Sequence, residues 1–212
     1  IQNPDSDAYF NETIAGTTNT FFPMLRLDKE HDSLSKLPAA SVPGIMATEL
    51  AVKDATLAMI IPPFAATQQP GRLGTHNVYP DSDGVVRRYP VRLDAQGWQL
   101  PSLPYVVARA AGHGEDAPDT LLLNWRGKPF TYKYVSFSDV YLDMLKEKRS
   151  RPADEFKGKT IIIGSTAAGL LDVRGTPLDR QFPGVEIVAT AIDNLEHGDW
   201  MIAPDARLFY LG

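Results

Sequence analysis

The sequence predicts an α/β fold with a mixed, largely parallel sheet, flanking helices and an antiparallel hairpin. Short apolar runs alternate with helical segments in the second half of the chain, and one of them, residues 160–163, leads through small residues toward an amphipathic helix. A further observation supports the hairpin, because two β-rich segments flank a sequence of turn formers. We expect all 212 residues to form a single domain.

The chain is expected to open with a short helix or loop at residues 5–16. Residues 20–27, TFFPMLRL, follow as a strand in which Pro23 favours an edge or a bulge, because proline has no amide hydrogen for a second neighbour. Residues 28–46 are predicted to be loop. A helical or extended segment then spans residues 47–61 and ends at two prolines.

The hairpin is placed at residues 72–79 and 85–93. The intervening PDSDG sequence favours a turn, because glycine accepts positive φ and Asp and Ser bond to nearby backbone. A second turn, DAQG at residues 94–97, leads into residues 98–100.

Helices and strands are expected to alternate from there on. A helix at residues 103–111 should end at Gly112, and residues 121–125 should form a buried strand. Residues 132–135 fit a further short strand. Ser136 then starts a capping-box sequence, which predicts a helix to about Lys148.

The sequence from residue 157 to 196 carries the main α/β signal. Residues 160–163 are predicted to be a buried strand and residues 185–196 a helix. The apolar stripe of this helix is predicted to pack on the sheet rather than to bind a cofactor. Its members are Val185, Val188, Ile192 and Leu195.

Composition excludes several functions. The net charge of −5 argues against nucleic acid or an anionic membrane surface as the main partner. The absence of cysteine excludes disulfides, zinc–thiolate sites and thiol catalysis. No apolar run reaches the length of a membrane-spanning helix. The histidines are scattered, so neither a metal nor a cofactor is predicted.

The small residues after the predicted strand are one candidate site. Gly164, Ser165 and Thr166 stand where open α/β sheets place ligands. They match no phosphate-loop, dinucleotide or nucleophile-elbow motif. Such a turn can offer backbone N–H groups to an anion, and it also fits a tight turn beside the sheet, so both interpretations stay open.

A polar loop follows this turn, with Asp172, Arg174, Thr176 and Asp179. An aspartate and an arginine two residues apart can pair, fix the loop, or hold a carboxylate or amine ligand. We favour the structural pairing.

Arg87 is a separate candidate. In a strand over residues 85–93 it would share a face with Tyr89 and Val91. A guanidinium on an apolar face needs a carboxylate or an anionic ligand. We therefore expect one of the two beside Arg87, unless this is an edge strand in another register.

Several sequence blocks occur in an order that resembles one family, the type-two CHASE domain. Each block alone is weak, but together they extend over about residues 72–202. They are DGVVRR at 83–88, PSL at 101–103, LNWRG at 123–127, VSFSDV at 135–140, FKGKTIIIG at 156–164 and PGVE at 183–186.

The resemblance implies a sensory domain on the periplasmic or extracellular face of the bacterial inner membrane, tethered to it in the full-length receptor. Output would come from an adenylate or guanylate cyclase or a histidine kinase outside this chain, which would itself not be an enzyme. Its partner would be a small-molecule ligand or a periplasmic protein, and a homodimer is possible.

The family's first strands are expected to be missing from this chain. Residues 188–190 are Val-Ala-Thr where the family often has His-Ala-Asn, so no role is carried over from that histidine or asparagine.

If a ligand binds, we expect it near Gly164, Ser165, Thr166, Asp172, Arg174 and Arg87. One alternative is an α/β enzyme acting on a small phosphorylated or acyl substrate, which needs a general base near Ser165; Asp172 or Glu186 could serve only if buried. Another alternative is a ligand-free dimerisation or interaction module.

Overall fold

A computed structural model describes residues 4–165 and 172–203 of the chain. The helices are α1 Pro4–Ala15, α2 Leu103–Ala110, α3 Phe137–Met144 and α4 Gly184–His197. The strands are β1 Phe22–Arg26, β2 Met46–Ala47, β3 Met59–Ile60, β4 Leu73–Thr75, β5 Arg88–Pro90, β6 Arg92–Ala95, β7 Trp98–Pro101, β8 Thr120–Leu122, β9 Val173–Arg174 and β10 Phe182–Pro183. Within these described parts, no helix is both long and apolar enough to cross a membrane.

The strands form four small sheets. In one, β1 lies between β3 and β4; in another, β7 lies between β2 and β6. β5 pairs with β8, and β9 with β10. The mixed α/β content is therefore confirmed. The largely parallel sheet is not found in the described part of the chain, where β1 and β4 are the one parallel strand pair.

Residues 160–163 were expected to be the buried strand that anchors a parallel sheet, and this prediction is wrong. They form no strand, and Ile163 is 79% exposed. Residues 160–164 lie along α4 and make no backbone hydrogen bond to any residue that the structure describes. Without a strand here, the sheets of the second half remain two-stranded.

The predicted hairpin is also wrong in its position. β4 pairs with β1, and β5 pairs with β8 through Arg88 opposite Leu122. The hairpin is instead β6–β7, closed by Gln96 and Gly97 with φ of 55° and 80°. A two-residue turn with both residues at positive φ has a twist that matches the right-handed twist of the flanking strands. This explains why DAQG, rather than the longer PDSDG sequence, closes the hairpin.

Three other expected elements, β1, α2 and α3, are confirmed with small shifts, and two are not. β1 is central, but its Pro23 half bonds only to β4, as proline requires. α2 ends before Gly112, which has φ of 84°. α3 starts after Ser136 as predicted but ends at Met144. The strand expected at residues 132–135 and the helical option for residues 47–61 are not found.

Two apolar clusters form the core. One is built around β1, β4 and the β6–β7 hairpin, with Met24, Leu73 and Leu100 at its centre. The other packs α4 against β5 and β8. α2 contacts both β4 and α4 and so connects the two clusters. The buried face of α4 is centred on Ile187, Ala191 and Leu195, so Val185 and Val188 of the expected stripe lie at its border.

Candidate functional site

Three of the candidate residues meet at the first turn of α4. β9 and β10 pair antiparallel, with Arg174 opposite Phe182, and the chain enters α4 directly from β10. The amide of Gly184 donates a hydrogen bond of 2.9 Å to the backbone oxygen of Asp172. The carboxylate of Asp172 occupies the space where a β carbon on Gly184 would lie, so a larger residue would displace it.

Asp172 and Arg174 pair as expected. Nη2 of Arg174 lies 3.7 Å from Oδ1 of Asp172, and about half of each side chain is exposed. Nη1 of Arg174 donates to the backbone oxygen of Val173. An exposed ion pair at this distance stabilises a protein by only about 0–1 kcal/mol. The pair therefore orients the two side chains without fixing them tightly.

Gly164 reaches the same helix end. A β carbon at this position would lie 2.6 Å from Cγ2 of Val185, so the chain passes close to the second residue of α4. Ser165 is exposed next to it. Thr166 lies outside the described residues. Gly164 and Asp172 thus contact consecutive residues of α4.

Arg87 lies in a different local environment. Its guanidinium bonds to Asp81 at 3.0 Å and to Asp83 at 2.7 Å, so the expected carboxylate partner is present. The hydrogen bond from Arg87 lowers the pKa of Asp83 to about 2. The backbone links this turn to the polar loop, because the Val86 amide donates to the oxygen of Gly175 at 2.8 Å. The side chain of Arg87 itself bonds to its own turn rather than to Asp172 or Arg174.

Thr176 and Asp179 fix the loop that precedes β10. The buried hydroxyl of Thr176 donates to the backbone oxygen of Asp179 and accepts from the amides of Leu178 and Asp179. These local bonds give both Thr176 and Asp179 a structural role in the loop.

Glu186, which the sequence suggested only as a possible general base in the enzyme alternative, is a buried residue of α4. Its two carboxylate oxygens accept the amides of Phe130 at 2.9 Å and Tyr132 at 3.4 Å. Tyr134 lies beside it, and burial together with the Glu186 charge raises the pKa of that phenol to about 12. The PGVE block contained this glutamate, but nothing in the sequence indicated that it would hold residues 130–132.

The LNWRG block attaches to the other end of α4. The amide of Asn124 donates to Oδ1 of Asn194 at 2.8 Å, and Nδ2 of Asn194 donates back to the oxygen of Asn124 at 3.0 Å. Arg126 pairs with Asp193 and, at 2.8 Å, with Asp199. The hydrogen bonds that Arg126 donates to Asp199 and Asp193 raise the pKa of Arg126 and lower the pKa of Asp199. Residues 124–132 therefore follow α4 along its polar side.

Neither of two surface clefts is lined by the candidate residues. A small one of about 140 Å³ lies beside α4, between Tyr132, Ile162 and Ile192. A larger, open one of about 630 Å³ lies between the 3-10 turn Lys29–Leu34 and Gln96. The carboxylate of Asp32 in its wall is already bonded to Arg26, Gln96 and the Ala58 amide.

Among the described residues, neither Asp172 nor Glu186 has the free, buried carboxylate that a general base near Ser165 would need. Asp172 is half exposed and paired with Arg174. Glu186 is buried, but backbone amides bind both of its oxygens. Across residues 4–165 and 172–203, no group of three or more His, Asp or Glu side chains is arranged to hold a metal ion.

A comparison with known families gives one match. The family model described as the CHASE2 domain matches residues 1–209, which include every sequence block quoted above. No curated protein and no solved structure matches the chain.

Proposed function

This chain belongs to the CHASE2 domain family, and we propose that it is the extracytoplasmic sensory domain of a bacterial membrane receptor. The match to a family of sensory domains across residues 1–209 is the observation that carries the proposal. A sensory role means that ligand binding or contact with a protein shifts the receptor between two states.

We place the output outside this chain, in an adenylate or guanylate cyclase or a histidine kinase, and the domain itself on the periplasmic side of the inner membrane. The sequence blocks shared with the type-two CHASE domain support both assignments. In a full-length receptor, a reporter enzyme active only in the periplasm should be active when fused after residue 203. Activity only from a cytoplasmic reporter at that position would contradict this location.

We propose that a small polar ligand binds at the first turn of α4, beside Gly164, Ser165, Asp172 and Arg174, with Thr166 next in sequence. Two observations support this site. Gly164 and Asp172 contact consecutive residues of one helix end. The Asp172–Arg174 pair is long and half exposed, so a ligand carboxylate or amine could replace either partner at small cost. Arg87 would act indirectly, by holding the turn that bonds to Gly175.

A thermal-shift screen of this chain against organic acids, amines, nucleotides and sugars tests the ligand site. A ligand at one hundred times its Kd adds about 2.7 kcal/mol to the free energy of unfolding. At this size that is roughly 5–10 °C in Tm. We expect Ser165→Ala and Arg174→Ala to weaken a selective hit at least fivefold.

Arg180→Ala is the matched control, because Arg180 is an exposed arginine of the same loop. A hit whose affinity is unchanged in Ser165→Ala and Arg174→Ala would place the ligand elsewhere. A well-folded sample without any hit would favour the interaction-module alternative.

A further inference from the structure

Residues 160–164 contact α4 with every second residue. The hydroxyl of Thr160 bonds to Oε1 of Glu196 at 3.2 Å, and Ile162 lines the small cleft beside Ile192. Gly164 lies against Val185. An alternation of this kind is the periodicity of an extended chain, in which successive side chains point to opposite sides.

The residues between them face solvent. Ile161 is 52% and Ile163 79% exposed. No backbone group of residues 160–164 is hydrogen-bonded to any residue that the structure describes. A β-branched segment with one side on a helix and a backbone that bonds to no described residue has the properties of a sheet edge.

Exposed apolar side chains are frequent in the part of the chain that ends with this segment. The described residues include 22 exposed large hydrophobic side chains, and ten of them lie between residues 130 and 163. Tyr132 lines the same cleft as Thr160 and Ile162, so residues 130–134 lie beside the segment. Exposed apolar side chains that lie together are typical of interaction sites.

We propose that residues 160–164 pair with the same segment of a second copy of this chain as an antiparallel strand. A two-fold axis at Ile162 would place Ile161 of each copy opposite Ile163 of the other. Lys159 would then face Ser165 rather than another lysine. Within residues 160–164 the outward cross-strand pairs are isoleucine pairs, and the flanking Lys159–Ser165 pair opposes no like charges, which is the self-complementarity that a two-fold interface requires.

The strand pair is the centre of the interface rather than its whole area. A stable dimer buries about 800 Å² on each copy, more than two isoleucines can supply. The neighbouring aromatic side chains can add to it, because Phe130 and Tyr134 are exposed and their rings are in contact at 5.2 Å. The dimer strand shares Gly164 and Ser165 with the proposed ligand site, but the test of the dimer uses no ligand and can fail independently of that site.

Sedimentation of this chain over a range of concentrations tests for the dimer. We expect a reversible monomer–dimer equilibrium in which Ile163→Lys raises the dimer Kd by about tenfold or more. Leu50→Lys is the control, because Leu50 is 85% exposed but lies outside residues 130–163. A chain that stays monomeric, or a dimer unaffected by Ile163→Lys, would overturn the proposal.

Disulfide cross-linking tests the register and needs no strongly disruptive substitution. The chain has no cysteine, so Ile161→Cys and Ile163→Cys each add one thiol. Oxidation of the mixed variants should give a heterodimer as the main covalent product, whereas each variant alone should cross-link little. Equal cross-linking of all three samples, or binding of the monomer to phospholipid vesicles through Ile163 without dimerisation, would refute strand pairing between copies.

Discussion

Asn194 and Glu186 are buried polar residues of α4 whose hydrogen bonds go to the backbone of other segments. Each side chain satisfies two backbone groups: Asn194 the amide and oxygen of Asn124, and Glu186 the amides of Phe130 and Tyr132. Such bonds fix position more narrowly than apolar packing, because each requires both a distance and a direction. The register of residues 124–132 along α4 therefore depends on these two side chains.

Replacing Asn194 should measure this dependence. Asn194→Ala removes two hydrogen bonds and leaves the amide and oxygen of the half-buried Asn124 without these partners. We expect the free energy of unfolding to fall by about 2–4 kcal/mol, measured by urea denaturation. Gln181→Ala, at an exposed residue, should change it by less than about 0.5 kcal/mol. Equal values for both variants would mean that water replaces the lost bonds.

At the scale of elements, α2 and α3 have the same N-cap chemistry but different packing. The hydroxyl of Ser102 accepts the Tyr105 amide, and that of Ser136 accepts the Asp139 amide, both at 3.3 Å. α2 packs against α4 and β4, whereas α3 exposes Phe137, Tyr141 and Leu145. Because most helical stability in proteins comes from tertiary packing, the two caps should differ in their effect on the whole domain.

The paired substitutions Ser102→Ala and Ser136→Ala test this difference. We expect Ser102→Ala to lower the global free energy of unfolding by about 1 kcal/mol. Ser136→Ala should lower it by less than half as much, because α3 can open while the rest of the domain stays folded. The measurement is chemical denaturation followed by tryptophan fluorescence. An equal loss in both variants would show that α3 belongs to the same cooperative unit as α2.

Elements that have a local sequence signal were predictable from the sequence, whereas the pairing of one strand with another was not. Residues within one or two helical turns were enough to predict the Ser136 cap, the end of α2 at Gly112 and the position of α4. The partner of β5 does not, because it is β8, about thirty residues along the chain. For the site, the pairing of Asp172 with Arg174 was predictable from their spacing. The contact of Gly164 with Val185 and the bonds of Glu186 depend on tertiary packing, which no local pattern encodes.

At the scale of the whole molecule, protection from solvent should be uneven. The two apolar clusters enclose β1, β4, α2 and α4, while most of residues 130–163 lie outside them. Local opening requires least free energy where few apolar contacts are broken. The part of the chain most exposed to a partner is thus also expected to be the part that opens most readily.

Hydrogen exchange of the amides can test this gradient and the unpaired segment together. In dilute, monomeric protein we expect residues 187–195 of α4 to be strongly protected and residues 160–164 to exchange at nearly the rate of an unstructured peptide, because their amides bond to no described residue. Raising the concentration through the dimer Kd should protect residues 160–164 while leaving α3 unchanged. Strong protection of residues 160–164 in the monomer would instead mean that they form the buried strand that the sequence alone predicts, and pairing between copies would have to be abandoned.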